Sequence, residues 1–583
     1  MVFAVALIAI HAPLLRLPYF WDEAGYYIPA ARDLLAGSVI PHSTPSNAHP
    51  PLVMAWLALN WKMLGQSAAV TRCAMLLLAA FSLLGFFRLA RAVSNSTVAA
   101  ASTFLVAVYP VFFAQSSLGQ VDLPAAGLAF WGLEAYARRK RLAMATSFSL
   151  AALAKETAVL VPLALFLWEL GVAVWAKRSG EAPLASMYPS GSSDQGRGLP
   201  LYRPQRRWSG SQASERLRAG LIKFRQLGWL GWAEHDASSV GSGVLLVPVF
   251  ALVGWYAYHY ARTGFVFGNP EFFRYNVQGT LHPWRIFLAL LLRVWQVVGY
   301  LGLYVLTLAC ALAMKYPPLM DRWFSEHSAE HRRPAAENVI ERPRIAISIQ
   351  LAFLAIAVIY LFAMSVVGGA VLARYMLPIV PLFILISVST IWRRLKPWPW
   401  VLGVVGLAFI LAIFVNPPYG FSPEDNLAYR DYIRLHQHAE AFLQKRYPQA
   451  RVLTAWPASD ELSRPFLGYV KEPMQVVRIE DFTAEQLLSA ADARSRFDVA
   501  LVFSTKYHPE SSIFHNWRAW QRWKSQYFGY HLDLSPEAAA SVLGGEVIYN
   551  ERRRGQWVAV IAIQKIEEAA NPVMRQGSAM RWY

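Results

Sequence analysis

The stretch "IAISIQLAFLAIAVIYLFAMSV", residues 345–366, contains no charged side chain. A helix needs roughly 20 mostly apolar residues to cross the hydrocarbon core of a bilayer, so this stretch predicts a transmembrane helix. Ten other apolar runs predict further spans, at 1–18, 67–90, 97–115, 123–137, 142–154, 156–176, 242–262, 286–314, 374–392 and 399–416. The sequence therefore predicts a multi-span α-helical membrane protein with about eleven spans.

The overall composition agrees with this prediction. Of the 583 residues, 55% are hydrophobic and only 16% are charged, whereas soluble domains carry about 25% charged residues. The two cysteines, Cys73 and Cys310, both fall inside predicted spans. Their placement indicates neither a disulfide nor a cysteine metal cluster. The composition thus excludes an ordinary soluble protein.

Basic residues are distributed unevenly between the two sets of alternating loops. The loops after the second, fourth, sixth, eighth and tenth predicted spans contain 25 Lys and Arg residues, against seven in the alternate set. Because cytoplasmic loops are enriched in Lys and Arg, residues 19–66 and the C-terminus are predicted to lie outside. Basic cytoplasmic loops near anionic lipid then explain most of the net charge of +18. The charge therefore gives no reason to expect a nucleic-acid partner. We expect a multi-pass protein of a bacterial inner membrane.

The character of the chain changes after residue 416. Residues 1–416 form the predicted membrane core, and residues 417–583 predict an extracytoplasmic α/β domain. Its predicted elements are an amphipathic helix at 424–446 and strands at 451–456, 475–479, 499–504, 546–550 and 558–564. The last two strands are expected to form an antiparallel hairpin. No nucleotide-binding glycine fingerprint is present in the sequence.

A polar insertion interrupts the predicted core at 177–240, and its composition is typical of a flexible cytoplasmic linker. Within it, Leu217, Leu221 and Phe224 share one face of a predicted helix that would lie on the inner leaflet. A solvated connector explains the same pattern equally well.

Polar motifs occur at the outer ends of the predicted spans. They are "DEAGYY" at 22–27, "HPPL" at 49–52, "VDLP" at 121–124, "AKET" at 154–157 and "ARYMLPIVP" at 373–381. Charged side chains near hydrocarbon are costly and commonly functional. Acids and bases from these loops are therefore predicted to converge on one face of the membrane.

In this order, the motifs resemble the GT-C class of integral membrane glycosyltransferases, nearest to its protein O-mannosyltransferase and aminoarabinose-transferase branches. The resemblance covers the membrane core. It implies an enzyme that takes a sugar from a polyprenyl-phosphate or related carrier and passes it to a protein, lipid or polysaccharide acceptor outside the membrane. It also implies that the first outer loop carries the catalytic acid.

The residues themselves suit an inverting displacement with no covalent enzyme intermediate. A carboxylate can take the acceptor proton as a general base, for which Asp22 is the first candidate and Glu23 the second. Asp122 is expected to hold the acceptor or to orient Asp22. Cations would stabilise the negative charge that develops on the donor phosphate. The candidate phosphate contacts are Lys155, His49 and Arg374, although the aminoarabinose branch tends to place a Lys at the His49 position.

These residues also have purely structural explanations. Asp22 and Asp122 could cap the helices that follow them. Glu23 could be a first-turn acid that the helix dipole favours. Lys155 and Glu156 could satisfy each other at a turn.

His49 could likewise be a loop residue without a role, and Arg374 could extend its charge to the membrane surface. Asp22, Glu23, Asp122 and His49 include suitable ligand types for a divalent metal. Their spacing predicts no coordination geometry, so a metal stays unassigned.

Two other functions remain open at the level of the sequence. One is a ligase or polymerase that moves a whole polyprenyl-linked glycan. The other is a transporter or lipid flippase. Transporters often contain internal repeats with interrupted helices in matching places, and the two halves of the predicted core show no such repeat.

Overall fold

The computed structural model describes residues 2–179, 243–323, 338–507, 509 and 517–564. These residues belong to two compact units. The first contains Met1–Arg430 and Pro509–Tyr530, and the second contains Asp431–His508 and His531–Tyr583. The predicted insertion beyond residue 179, with its helix around Leu221, lies outside the described residues.

The first unit extends past residue 416, where the sequence placed the end of the membrane core. Side-chain contacts explain the difference. Asp425 accepts a hydrogen bond from the Tyr300 hydroxyl at 2.5 Å. The ring of Trp523 packs edge-on against Trp284, with ring centroids 5.6 Å apart.

Helices make up most of the chain, and they are numbered here in order. They are α1 (Val2–His11), α2 (Ile28–Leu35), α3 (Leu52–Leu64), α4 (Ala68–Val93), α5 (Ser96–Val108), α6 (Pro110–Gln115), α7 (Asp122–Ala137), α8 (Arg141–Ala154), α9 (Leu160–Ser179), α10 (Val247–Thr263), α11 (Pro270–Asn276), α12 (Pro283–Val298), α13 (Leu303–Ala313), α14 (Ile347–Val366), α15 (Val380–Arg394), α16 (Trp398–Phe414), α17 (Ala428–Arg446), α18 (Ala458–Ser463), α19 (Ala484–Ala491), α20 (Arg518–Phe528) and α21 (Pro536–Leu543).

Among the described residues, five helical segments are long and apolar enough to cross a membrane, so the chain is an integral membrane protein. They are Ala68–Val93, Glu156–Trp175, Val244–Thr263, Pro283–Ala313 and Ile347–Val366. Shorter apolar helices are Val2–Leu14, Leu52–Leu64, Ser96–Val108, Arg141–Ala154 and Trp398–Phe414. The count of eleven spans therefore stays a prediction.

One predicted span, 97–115, is interrupted in the structure. Helix α5 ends at Val108 and α6 begins at Pro110, while Tyr109 between them has an extended conformation with ψ of 125°. The residue before a proline is sterically biased away from the helical region, and proline itself has no N–H to continue the helix. The "YP" pair thus accounts for the break.

Helix α7 packs closely between α4 and α8. A Cβ atom at Gly127 would collide with Ser82 of α4, and one at Gly132 would come within 2.5 Å of Phe148 of α8. Small residues let helix backbones approach closely in membranes. The close packing of α7 fixes the position of Asp122, which lies in its first turn.

The first unit contains a two-stranded ribbon of β1 (Met320–Trp323) and β2 (Asn338–Glu341). The second unit contains a sheet of five strands, which are β3 (Arg451–Ala455), β4 (Gln475–Ile479), β5 (Val499–Phe503), β6 (Gly545–Arg553) and β7 (Gln556–Ile563). Their order in the sheet is β4-β3-β5-β7-β6. Strands β3, β4 and β5 are parallel, whereas β7 is antiparallel to β5 and β6. All five strands of the larger sheet match predicted ones, and the predicted hairpin is confirmed.

The orientation of the membrane core can be tested with single cysteines. We expect Val39→Cys to react with an impermeant maleimide in intact cells and Lys140→Cys to stay unlabelled, because three predicted spans separate the two positions. Both side chains are exposed in the structure, and both variants would carry Cys73→Ser and Cys310→Ser. Labelling after solubilisation controls for reactivity. Equal labelling of both variants in intact cells would contradict the predicted topology.

Candidate active site

The first outer loop begins with an unusual turn. Trp21 has a positive φ of 45°, and a π-helical turn follows from Glu23 to Tyr27. Asp22 has helical backbone angles, but its side chain forms no capping hydrogen bond with the turn. Consecutive residues of a helical turn point in different directions. The two adjacent acids therefore enter different surroundings.

Glu23 is fully buried and forms a saturated ion pair. Its carboxylate accepts hydrogen bonds from both terminal nitrogens of Arg72, including Nη2 at 3.0 Å from Oε2. The backbone N–H groups of Phe20, at 2.8 Å, and Gly119 also donate to it. Arg72 in turn donates to the Pro18 carbonyl at 2.7 Å. This pair fastens the start of the loop to α4 and to the segment before α7.

Asp22 instead contacts Arg374, which lies in the short helical turn Ala373–Met376 between α14 and α15. Nη2 of Arg374 is 2.5 Å from Oδ2 of Asp22, and Nε is 3.2 Å from Oδ2 of Asp122. Nη1 of Arg374 also pairs with Glu424 and donates to Oε1 of Gln120 at 2.7 Å. One guanidinium thus joins residues from four separate segments.

Lys155 completes this group of charges. Its ammonium group forms an ion pair with Asp122 and lies 3.9 Å from the centroid of the Tyr375 ring. We call the set Asp22, Asp122, Lys155, Arg374 and Glu424 the Arg374 cluster. Within it, the side chain of Asp22 is 21% exposed, whereas that of Arg374 is 2% exposed.

The electrostatics of the cluster follow from its burial. Arg374 is buried, and its charge is compensated by the carboxylates of Glu424, Asp22 and Asp122. Burial raises the pKa of Glu424, and Arg374 opposes the rise. Burial beside Glu424 also raises the pKa of Asp425 to about 8. Burial thus opposes the ionisation of Glu424 and Asp425, while the guanidinium of Arg374 stays charged.

His49 lies in a separate pair. Its Nδ1 is 2.8 Å from Oε2 of Glu156, and its ring is 5.9 Å from that of Tyr27 between centroids. The structure therefore brings Asp22, Asp122, Lys155 and Arg374 into direct contact, but it places His49 and Glu23 in two other ion pairs.

The purely structural explanations that the sequence left open for Asp22, Asp122, Lys155 and Arg374 do not account for these contacts. Asp22 makes no capping bond, and Asp122 is the first residue of α7 after an N-cap at Val121 that has no side-chain bond. Lys155 pairs with Asp122 rather than with its neighbour in sequence. Arg374 is buried and does not extend to a surface.

Several residues of the site were not identified from the sequence. Glu424 looked like an acid at a helix start, yet it reaches Arg374 and accepts a hydrogen bond from Gln120 at 3.0 Å. The only sequence signal was the adjacent acidic pair of Glu424 and Asp425 directly after the last apolar run. Tyr375, next to Arg374 in "ARYM", contributes an aromatic face.

Two buried arginines in α12 were also missed. Arg285 and Arg293 are 2% and 0% exposed, and neither has a carboxylate within ion-pair distance among the described residues. Both donate to backbone carbonyls of residues 368–372, and Arg293 lies 5.3 Å from the Tyr375 ring centroid. Within the described ranges, Nη1 of Arg285 and Nε of Arg293 have no hydrogen-bond partner. Their charge is thus available to an anion.

No three of Asp22, Glu23, Asp122 and His49 come within metal-ligating distance of one another in the part of the chain that the structure describes. The carboxylates are instead paired with Arg374, Arg72 and Lys155.

Comparison with known proteins supports the resemblance seen in the motifs. Residues 48–189 match the family model described as dolichyl-phosphate-mannose-protein mannosyltransferase. This range includes "HPPL", "VDLP" and "AKET". The resemblance to the mannosyltransferase branch of the GT-C class is therefore confirmed over that part of the chain. Among curated protein sequences, none matches the chain.

Solved structures give weaker likenesses. The crystal structure of ArnT from Cupriavidus metallidurans bound to undecaprenyl phosphate is 14% identical, covers 96% of this chain and 97% of that one, and has a TM-score of 0.47. The Archaeoglobus fulgidus oligosaccharyltransferase in complex with Zn and sulfate is 12% identical, covers 86% and 67%, and has a TM-score of 0.40.

The buried pair of Glu23 and Arg72 is expected to be a main determinant of stability. Removing one partner of a buried pair typically costs about 3–5 kcal/mol, because the other charge stays buried. We expect Arg72→Ala to lower the free energy of unfolding by this amount in mixed micelles titrated with SDS. Arg88→Ala is the matched control on the same helix and should cost less, since Arg88 is 43% exposed and its partner Glu134 keeps an ion pair with Arg138. Equal losses in both variants would contradict this role.

Proposed function

We propose that the protein is an inverting glycosyltransferase that moves a sugar from a polyprenyl-phosphate-linked donor to an acceptor hydroxyl on the outer face of the membrane. The family match over residues 48–189 supports lipid-linked glycosyl transfer as the class of reaction. The observation that carries the proposal is the partly exposed carboxylate of Asp22, held by buried Arg374 at 2.5 Å.

Asp22 is the proposed general base. Among the carboxylates of the Arg374 cluster it is the most exposed, at 21% against 3% for Asp122 and 4% for Glu424. A base must come within about 2.6–3.2 Å of the proton it removes, or act through one water. Only an accessible carboxylate meets this requirement. The ion pair with Arg374 fixes the orientation of Asp22 and leaves Oδ1 for the acceptor.

Glu23 is proposed to position the loop and not to react. Its carboxylate is 0% exposed, and it already accepts hydrogen bonds from Arg72, Phe20 and Gly119. An acceptor could reach it only by displacing this pair, which would leave Arg72 as an unpaired buried charge.

Asp122 is proposed to orient the two cations. It pairs with Lys155 and with Arg374, so it links α7 to the loop before α9 and to the turn before α15. Lys155 and Arg374 already pair with carboxylates. A donor phosphate that contacts either cation would therefore share it with those acids. Any contribution of His49 is likewise shared with Glu156.

The donor phosphate is proposed to bind mainly to Arg285 and Arg293, whose side chains are 2% and 0% exposed and must therefore shift when the donor enters. Buried charge without a counterion is costly, and a bound phosphate would compensate both arginines. Arginine suits this role because its planar fork donates two hydrogen bonds to phosphate. The Tyr375 ring, which contacts Arg293 and Lys155, connects this region with the Arg374 cluster.

The proposed reaction is a single displacement. The acceptor oxygen attacks the anomeric carbon while the bond from that carbon to the phosphate oxygen breaks. The acceptor proton passes to Asp22, and polyprenyl phosphate leaves with the bonding electron pair. Cations near the phosphate stabilise the leaving group as its negative charge develops. One accessible carboxylate on the attacking side agrees with inversion at the anomeric carbon.

The cellular setting and acceptor belong to the same proposal. We place the reaction at the outer face of a bacterial inner membrane, with the C-terminal α/β domain on the extracytoplasmic side. The acceptor would be a hydroxyl of a protein, lipid or polysaccharide. The predicted orientation of the basic loops supports this placement.

The role of Asp22 can be measured with Asp22→Asn. The amide keeps the size of the side chain and can accept a hydrogen bond from Arg374, but it is not basic. A positioned base typically contributes about 10²–10⁴-fold in rate, so transfer should fall by at least about a hundredfold with donor binding retained. The assay follows release of polyprenyl phosphate by purified protein, with polyprenyl-phosphate mannose as the first donor tested.

Asp33→Asn serves as the matched control in the same loop. Asp33 accepts hydrogen bonds from the backbone of His42 and Ser43 at 2.8 Å, and an amide oxygen can still accept them, so turnover should stay near normal. Near-normal turnover in Asp22→Asn would remove Asp22 from the catalytic role.

The phosphate contact can be tested with Arg293→Gln. Hydrogen bonds to charged groups contribute about 1.5–3 kcal/mol, so donor affinity should weaken about ten- to a hundredfold. KM for the donor should rise because a ground-state contact is lost, and kcat should fall as well because the same arginine would stabilise the charge that develops on the leaving phosphate. Arg262→Gln, an exposed arginine on α10, should leave both parameters unaltered. An unchanged KM in Arg293→Gln would overturn the assignment.

A further inference from the structure

The second compact unit contains a buried group of potential metal ligands, none of which belongs to the Arg374 cluster. His436 and Glu440 lie one helical turn apart on α17, and Glu461 lies on α18. Nδ1 of His436 is 2.6 Å from Oε2 of Glu461 and 3.7 Å from Oε1 of Glu440. One ligand atom from each of the three side chains lies within 4.8 Å of the others.

These side chains are deeply buried and poorly satisfied. Glu440 and Glu461 are each 0% exposed and His436 is 1% exposed. In the described part of the chain, no group donates a hydrogen bond to either carboxylate oxygen of Glu440 or to Oε1 of Glu461, and Nε2 of His436 has no partner either. Buried polar groups are nearly always satisfied by protein, water or an ion. The three acceptor oxygens therefore require a partner, which an ion or a shared proton would supply.

The charge of the group also needs compensation. No Lys or Arg lies within ion-pair distance of Glu440 or Glu461 in the described part of the chain. Two carboxylates so close together in a buried site cannot both ionise without a positive charge between them. A divalent cation would balance both of them.

From these contacts we propose that His436, Glu440 and Glu461 bind one divalent transition metal ion, with Zn²⁺ as the best match. Imidazole and carboxylate donors suit this ion, and they bind it at about 2.0–2.2 Å. Ligand atoms around one such ion lie about 3–4 Å apart, close to the separations of the three side chains. The i, i+4 spacing on α17 places two ligands on one helical face.

The aromatic surroundings of His436 would hold its ring in place at this metal site. The ring of Tyr432 stacks on His436 with centroids 3.9 Å apart, and Phe503 of β5 packs edge-on at 4.6 Å. These aromatic contacts fix the imidazole so that Nδ1 faces the carboxylates. A metal bound here would fasten α17 to α18 on the β5 face of the sheet, and metal affinity would add to folding stability.

The test uses the full-length protein purified in detergent, stripped with a chelator and then given Zn²⁺ alone. We expect about one tightly bound Zn²⁺ per chain by mass spectrometry, together with a higher unfolding temperature than in the stripped protein. Glu440→Gln should lose this Zn²⁺ and its thermal shift. His438→Gln, an exposed histidine two residues away on the same helix, should retain both.

The opposing explanation is a proton shared between the two carboxyl groups, and Glu440→Gln distinguishes it. Glutamine resembles a protonated glutamate because its amide can donate to Glu461. If wild-type protein binds no Zn²⁺ and Glu440→Gln unfolds at an equal or higher temperature, the metal site is overturned. Loss of Zn²⁺ in His438→Gln also overturns it. Should Glu440→Gln fail to fold, the metal content and thermal shift of the wild-type protein decide alone.

Discussion

The ion pairs of Arg374 are the interactions on which the geometry of the proposed active site depends. One buried guanidinium contacts Asp22 in the first outer loop, Asp122 at the start of α7 and Glu424 after α16. These three residues are at least 100 positions apart in sequence. Apolar packing between their segments is not directional enough to bring the carboxylates to one point, whereas ion pairs with one guanidinium are. Without the arginine, three carboxylates would face one another in a poorly solvated site, where such repulsion is strong.

This arrangement separates two tasks that the reaction requires. The charges of the Arg374 cluster largely cancel one another, which leaves Asp22 as an oriented and partly exposed carboxylate. Uncompensated positive charge is found instead on Arg285 and Arg293 of α12. A base and a phosphate site can then work side by side without neutralising each other. The buried pair of Glu23 and Arg72 supports both tasks by fixing the backbone next to Asp22.

Much of the fold and part of the site could be predicted from sequence, for physical reasons that differ by region. Alternating apolar residues mark the strands of the C-terminal sheet, and polar motifs at the ends of apolar runs locate Asp22, Asp122, Lys155 and Arg374. The sequence could not show which of two adjacent acids turns inward, because that depends on the turn after Trp21. Nor could it identify Arg293, since one cation within an apolar run has no local pattern that reveals its burial.

The most direct test of the account is a structure of the protein bound to a non-hydrolysable polyprenyl-phosphate sugar. The account predicts that the phosphate contacts Arg293 and Arg285, with the anomeric carbon facing the carboxylate of Asp22 across a gap that fits one hydroxyl. The ion pair of Glu23 with Arg72 should remain intact. A donor whose phosphate lies away from both α12 arginines, or whose sugar lies beyond reach of Asp22, would contradict the proposed active site.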